Sequence, residues 1–352
     1  MLKLIKFLVG SLAVSFFCLG LFYIIRLERN QDVYSPATLE RREETQQNPK
    51  RENVNLLFVG DIMLDRGVAS HAEKYGVDSL FLKVEQLFQN NDAVIGNLEG
   101  TITDNPSIAT KDRSILRFTF NPLFAELIAR LHFTALSLAN NHSSDFEREG
   151  YEQTINNLRK AGIIYFGSSQ NDHNLSANII VRDQNICLIG YHDLFTFNQK
   201  PVIEEIKKVR EVCSYIVLYT HWGDEYNTLP NKRQQKLAHE FIDSGADLII
   251  GSHPHVIQTI EIYKNKAIFY SLGNFIFDQD FSLATKRGLA VRVELDDSRT
   301  LFSLVPISIE QGEVSIADLE EWAVILSALV DDNLPNDIAS SIVYSQRFVL
   351  EK

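Results

Sequence analysis

Cysteine is scarce in this chain, with three in 352 residues. Cys18 lies in an apolar N-terminal run, Cys187 in the strand-like NICLIGY, and Cys213 just before another strand-like run. That spacing offers neither a metal motif nor a disulfide pattern, so each cysteine is expected as a small apolar residue. So few cysteines do not fix the redox compartment. Basic residues are also in deficit. The 34 Lys and Arg stand against 46 Asp and Glu, a formal net charge of −12. A protein that tracks a phosphate backbone carries the opposite balance, so no nucleic-acid partner is expected. No internal repeat or low-complexity tract is present, which excludes repeat architectures.

Only one apolar run is long. Residues 7–25 read FLVGSLAVSFFCLGLFYII without a charge, and about 19 such positions cross a hydrocarbon core as a helix. Lys3 and Lys6 precede the run; Arg26 and Arg29 follow it. It lacks an A-x-A cleavage site, and Phe16-Phe17 before Cys18 makes a poor lipoprotein box. Residues 1–26 are therefore expected as an uncleaved, single-pass anchor that holds the protein at the cell membrane. Arg41, Arg42, Lys50 and Arg51 add positive charge after the anchor, so the positive-inside rule does not orient it. Residues 27–52 are polar and read as a flexible stalk.

Beyond the stalk, strand and helix patterns alternate, the mark of a layered α/β domain over residues 53–310. Strands are expected at 55–60, 93–96, 134–138, 268–271, 289–295 and 301–309. Helices are expected at 80–90, 122–131, 147–161 and 231–244, with Gly162 and Gly245 ending the last two. Residues 318–330 also look helical, and 311–352 reads as a helical C-terminal extension.

Five polar clusters end five apolar runs. Asp61 follows VNLLFVG, Asn97 and Glu99 follow DAVIG, and Asn140, Asn141 and His142 follow FTALSLA. His221 follows YIVLYT, and His253 and His255 follow DLIIGS. Ligands of open α/β sheets bind outside the carboxyl ends of the strands. Carboxylate, amide and imidazole gathered at one edge suit a divalent metal centre. Pro254 holds the backbone between the paired histidines. Asp145 reads as a helix N-cap. Asp65 and Arg66 read as a surface ion pair, and Arg66 is also a candidate contact for an anionic substrate. Asp224 and Glu225 read as solvated loop charges. Asn274, in SLGNF, reads either as a structural turn or as part of the site wall.

The ordered set GDIMLDR, NLEG, LANNHSSD, HWGDEY, GADLIIGSHPHVIQ and YSLGNFIFD resembles the CapA family of bacterial capsule and poly-gamma-glutamate synthesis proteins. The match runs from about residue 53 to 295. The resemblance implies a metallophosphoesterase-like four-layer αββα sandwich, a cleft for one or two divalent ions (Mn, Zn or Fe), and an extracytoplasmic domain tethered to the membrane. By the same resemblance, Asp61, Glu99, Asn141, His221, His253 and His255 are metal ligands. His142 is the catalytic histidine, and Asn97 stands where related enzymes bridge two metals with aspartate, or else Glu99 supplies that carboxylate. Met63 departs from the pattern, because related enzymes place a histidine there and a thioether is a poor ligand for hard ions. The expected activity is metal-dependent hydrolysis of a phosphoester or an envelope polymer, with Arg66, Asn97, Asn140 and Asn274 touching substrate or supporting the ligands. The alternative is a non-catalytic factor for assembly or export that binds an anionic polymer. Polymer-synthase subunits are the expected protein partners.

Overall fold

Short apolar runs broken by Gly, Asn and Asp turns make strand and helix alternate along this chain. The computed structural model describes residues 52–112, 114–195, 197–331 and 333–352. The first elements are β1 (Val54–Ile62), α1 (Arg66–Tyr75), α2 (Glu85–Phe88), β2 (Ala93–Leu98), β3 (Thr101–Ile102) and β4 (Thr119–Phe120). Next come α3 (Leu123–Arg130), β5 (Phe133–Ser137), α4 (Glu147–Lys160), β6 (Ile164–Phe166), β7 (Ser176–Val181) and β8 (Gln184–His192). The middle continues with α5 (Lys200–Val209), β9 (Tyr215–His221), α6 (Lys232–Asp243), β10 (Leu248–Ser252), β11 (Ile260–Tyr263) and β12 (Lys266–Phe269). The last elements are β13 (Asn274–Ile276), β14 (Arg287–Leu295), β15 (Arg299–Glu310), β16 (Glu313–Ile316), α7 (Leu319–Ala328), α8 (Asn336–Ser345) and β17 (Arg347–Glu351).

Two sheets dominate. The nine-stranded sheet follows the path β16-β15-β14-β1-β2-β5-β6, with β13 beside the end of β1 and β17 beside β15. The six-stranded sheet runs β11-β12-β10-β9-β8-β7. Strands β1, β2, β5 and β6 are mutually parallel, and so are β12, β10, β9 and β8. Their facing surfaces share one apolar core, in which Leu56, Phe58 and Ile95 meet Leu188, Val217, Ile250 and Phe269. Helices α1, α3 and α4 cover the outer face of the larger sheet through Val68, Phe124, Ile128 and Leu158. Helices α5 and α6 cover the other sheet through Val202, Ile206, Leu237 and Phe241. Each such side chain contributes roughly 1.5–3 kcal/mol when fully buried.

Several expectations are corrected by the packing. Residues 80–90 form 3₁₀ turns (Val77–Leu80, Leu82–Val84) and the one-turn α2, although Leu80, Val84, Leu87 and Phe88 do bury their shared side. The strand expected at 268–271 ends two residues earlier, at Phe269. Cys187 and Cys213 are disulfide-bonded, with Cα atoms 5.9 Å apart. Their partnership escapes a spacing argument because it joins the middle of β8 to the turn before β9. Segment 311–352 supplies two helices and also β16 and β17, both antiparallel to β15. The anchor expected at 1–26 and nearly all of the stalk at 27–52 lie outside the described residues. Among the described residues no helix is long and apolar enough to cross a membrane.

Candidate metal centre

Parallel alignment brings the carboxyl ends of the central strands to one edge. Asp61 pairs in register with Asn97, Asn97 with Ser137, and Ser252 with His221. The approach at Asp61 needs glycine beside it. A Cβ on Gly60 would collide with the carbonyl oxygen of Gly273, so only glycine lets the 273 turn close on β1.

The polar groups then interlock. Asn97 Nδ2 donates to Asp61 Oδ1 at 2.8 Å and lies 3.2 Å from His221 Nδ1. Asn140 Nδ2 donates to Asn97 Oδ1 at 2.9 Å and to the Leu98 carbonyl at 2.8 Å. The His253 amide donates to Asp61 Oδ2 at 3.1 Å. His255 Nδ1 donates to Asn274 Oδ1 at 2.9 Å, because the Asn274 amide nitrogen already donates to the Thr285 carbonyl. Asn274 thus orients His255 together with Asp61, whose Oδ2 lies 3.4 Å from the same nitrogen. His221 Nε2 and Asn141 Oδ1 lie 2.7 Å apart, so two prospective ligand atoms meet at one point. His253 and His255 have φ of 94° and 57°, a left-handed backbone that costs of order 1–3 kcal/mol per non-glycine residue and collects at functional sites.

Glu99 is the decisive group. It is fully buried, yet neither carboxylate oxygen has a hydrogen-bond partner among the described residues. Imidazole nitrogens flank it, His255 Nε2 at 3.6 Å and His142 Nε2 at 3.9 Å. Burial pushes its carboxyl well above the ordinary range. Burial also holds His221 and His253 well below the usual histidine value, helped by the imidazoles around each. Burial alone would lower His255 as well, but the Glu99 and Asp61 carboxylates raise it to about 9. Neutral imidazoles beside an unpaired carboxylate fit a bound cation. Donor atoms of Asp61, Glu99 and His221 lie within 4.8 Å of one another, and so do those of Glu225, His253 and His255.

All the ligands expected from the sequence reach this edge, together with Asn97, Asn140 and Asn274. Arg66 does too, but with a different partner. Its guanidinium is ion-paired to Asp278 and lies 4.8 Å from the Phe118 ring centre, while Asp65 is buried and caps α1. The Asp65–Arg66 surface pair is therefore replaced by two separate buried interactions. Asp145 does not cap α4, whose N-cap position is Phe146. Its carboxylate instead lies 2.8 Å from His142 Nδ1 and accepts from the Phe118 amide. Glu225, read as a solvated charge, is exposed but stands among the donor groups. Met63 is buried in the apolar layer outside the sheet, and its sulfur accepts from the Asp65 amide at 3.1 Å. It serves packing and the turn into α1. His192 is a further imidazole outside the expected set, and it carries the same sequence signal, following the apolar run ICLIGY.

Beside the centre lies a cavity of about 220 Å³, lined by Arg66, Glu99, Phe118, His142, Tyr226 and Phe281 among others. His142 thus faces both the centre and open space, and the Phe118 ring packs 4.3 Å from it.

The chain is 32% identical over 287 residues to the capsule biosynthesis protein CapA of Bacillus anthracis, covering 75% of this chain and 69% of that protein. It is 34% identical over 276 residues to the PGA biosynthesis protein CapA of Bacillus subtilis, covering 72% and 71%. A hypothetical protein from Thermus thermophilus aligns in structure over 75% of this chain and 98% of its own, at 14% identity and a TM-score of 0.43, too loose a likeness to carry meaning for function. Residues 55–279 match the family described as bacterial capsule synthesis protein PGA_cap, and the chain belongs to that family.

Proposed function

We propose that this protein acts in capsule or poly-gamma-glutamate biosynthesis as a membrane-anchored, metal-dependent hydrolase of phosphoester or envelope-polymer bonds, on a metallophosphoesterase-like αββα scaffold. The observation that carries the reading is Glu99: a buried carboxylate without a hydrogen-bond donor, ringed by imidazoles. Asp61, Glu99 and His221 form one close-set group and Glu225, His253 and His255 the other, and with Asn141 against His221 they would hold one or two divalent ions. Imidazole with carboxylate and amide oxygen suits Mn, Zn or Fe. When bound, such an ion supplies positive charge for a substrate oxygen and acidifies water.

The remaining chemistry belongs to the side chains. Asp145 holds His142 through Nδ1 and leaves Nε2 toward the centre. From there Nε2 delivers a proton to the departing oxygen as its bond breaks and water adds to the scissile atom, and the proton the water loses passes through solvent to restore the imidazole. Arg66, fixed by Asp278, places a cation in the cavity wall for an anionic substrate. Asn274 and Asn97 keep His255 and Asp61 in position. An extracytoplasmic domain on the cell membrane is part of the proposal. The disulfide between Cys187 and Cys213 supports it, since such bonds persist in oxidising compartments.

A second reading has one observation in its favour. Met63 lies in the apolar core where a ligand is expected, which suits a non-catalytic polymer-binding factor for assembly or export, working beside polymer-synthase subunits. Turnover separates the two. Residues 53–352, stripped with chelator and reloaded with Mn, Zn or Fe, should hydrolyse a generic phosphoester only when loaded. Metal uptake without turnover of phosphoester or poly-gamma-glutamate would leave the binding reading standing.

A further inference from the structure

Three neighbouring strands of the six-stranded sheet end in imidazole. β8 ends at His192, β9 ends at His221, and His253 directly follows β10. β8 and β9 are parallel, and His192 is in register with His221. Their side chains therefore leave the same face of the sheet at the same level.

His192 is fully buried. Its Nδ1 lies 2.9 Å from the Ser169 carbonyl oxygen. A carbonyl only accepts, so Nδ1 carries the ring proton and Nε2 presents a lone pair. That Nε2 has no hydrogen-bond partner among the described residues. Asn171 clamps the backbone from both directions, its Nδ2 donating to the His192 carbonyl at 2.6 Å and its Oδ1 accepting from the His192 amide at 2.9 Å. A ring whose N–H is given to a backbone carbonyl, with its other nitrogen bare, has the form of a metal-ligating histidine. Left bare in a dry interior, the same nitrogen is a standing penalty.

Ring spacing fits as well. A metal–nitrogen bond of about 2.0–2.1 Å puts the ring centre roughly 3.2 Å from the ion, so two imidazoles on one ion have centres ~4.5–6 Å apart. The centres of His192 and His221 are 5.9 Å apart, and those of His221 and His253 are 4.8 Å apart. His192 is not among the two sets of close-set donors, so ligation draws its ring inward.

We propose that His192 is a further metal ligand, completing a three-imidazole face with His221 and His253 on the ion that Asn141 also serves. The proposal rests on the metal-centre reading above. It gives the chain an imidazole beyond the expected set, where Met63 supplies none. Three imidazoles also select a borderline transition ion over magnesium or calcium.

The test uses the full chain in detergent, metal-stripped and titrated with Zn²⁺ and with Co²⁺. His192→Ala should bind at least tenfold more weakly than wild type and shift the Co²⁺ visible bands, with an unchanged circular dichroism spectrum. Equal affinity and identical bands in the variant would overturn the role of His192 while sparing the metal centre. A wild-type chain that takes up neither ion would overturn both. Where the variant fails to fold, an anomalous difference map of zinc-soaked wild-type crystals decides. An ion about 2.0–2.1 Å from His192 Nε2 supports ligation, and an ion beyond bonding reach of that atom ends the proposal.

Discussion

His142 and Glu99 meet at the mouth of the centre, and their environments assign them different work. His142 is tied to Asp145 and lines the cavity, as the proposed proton donor must. His142→Ala should keep metal and lose turnover by roughly a hundredfold or more. Asp145→Asn, which leaves the imidazole in place but frees its orientation, should lose less. Retained turnover in His142→Ala, measured with metal content, would remove the acid from the scheme. Glu99 and His255 govern how the metal-free protein responds to pH. Both keep protons in the native state beyond their unfolded values, His255 up to about 9. Their contribution is full at low pH and lost as pH rises through the folded values. His221 and His253 act with the opposite sign. Their native forms refuse protons that the unfolded chain binds, so stability falls as pH drops below about 6.5. Thermal melts in chelator should therefore show a maximum between these limits and a decline toward pH ~9. Saturating zinc should flatten the alkaline decline, because the ion replaces the proton. A metal-free melting temperature that climbs steadily toward pH ~9 would contradict the charge assignment.

At the scale of elements, the disulfide ties β8 to the turn before β9, the two strands that end in His192 and His221. It closes a loop spanning 26 positions. Chain-entropy reasoning for such a loop gives about 3.5 kcal/mol of stabilisation. Cys187→Ser with Cys213→Ser should lower stability by about that amount in urea unfolding, a cost to the scaffold with no ligand removed. A variant as stable as wild type would mean that packing alone fixes these strands. Helix ends were open to local reasoning. Asn231 forms a reciprocal capping box with Gln234 at the start of α6, a pattern written within four residues. Asp145 has the residue type of a cap and a sequence position next to a helix, yet its carboxylate goes to His142 and the Phe118 amide. No local rule foresees that choice, because Phe118 lies 27 positions away.

The whole molecule depends on its C-terminal segment. Ile325, Leu326, Leu329, Ile338, Ile342, Phe348 and Leu350 belong to the core between the sheets, and β17 pairs with β15 along five residues. A chain ending at residue 310 should expose that core and fail to fold. Its purification as a monomer with a wild-type circular dichroism spectrum would show the segment to be dispensable. Topology is the second test at this scale. If the apolar run at 7–25 anchors an extracytoplasmic domain, the intact chain sediments with membranes, and protease added to spheroplasts digests the domain. Protection until lysis would place it on the other side.

The sequence by itself determined which polar groups follow five of its apolar runs. Apolar runs, turn residues and the side chains that follow them are consecutive in the chain, so Asp61, Asn97, Glu99, Asn141, His142, His221, His253 and His255 were all readable from it. Tertiary structure decided what each group does. Glu99 becomes an orphaned carboxylate only when β2 is buried beside His142 and His255 from distant segments. Met63 joins the apolar layer formed by residues from distant segments such as Phe275 and Phe277. Arg66 turns from its neighbour to Asp278, 212 positions away. Burial and long-range pairing decide these outcomes, and neither is a property of a segment taken alone.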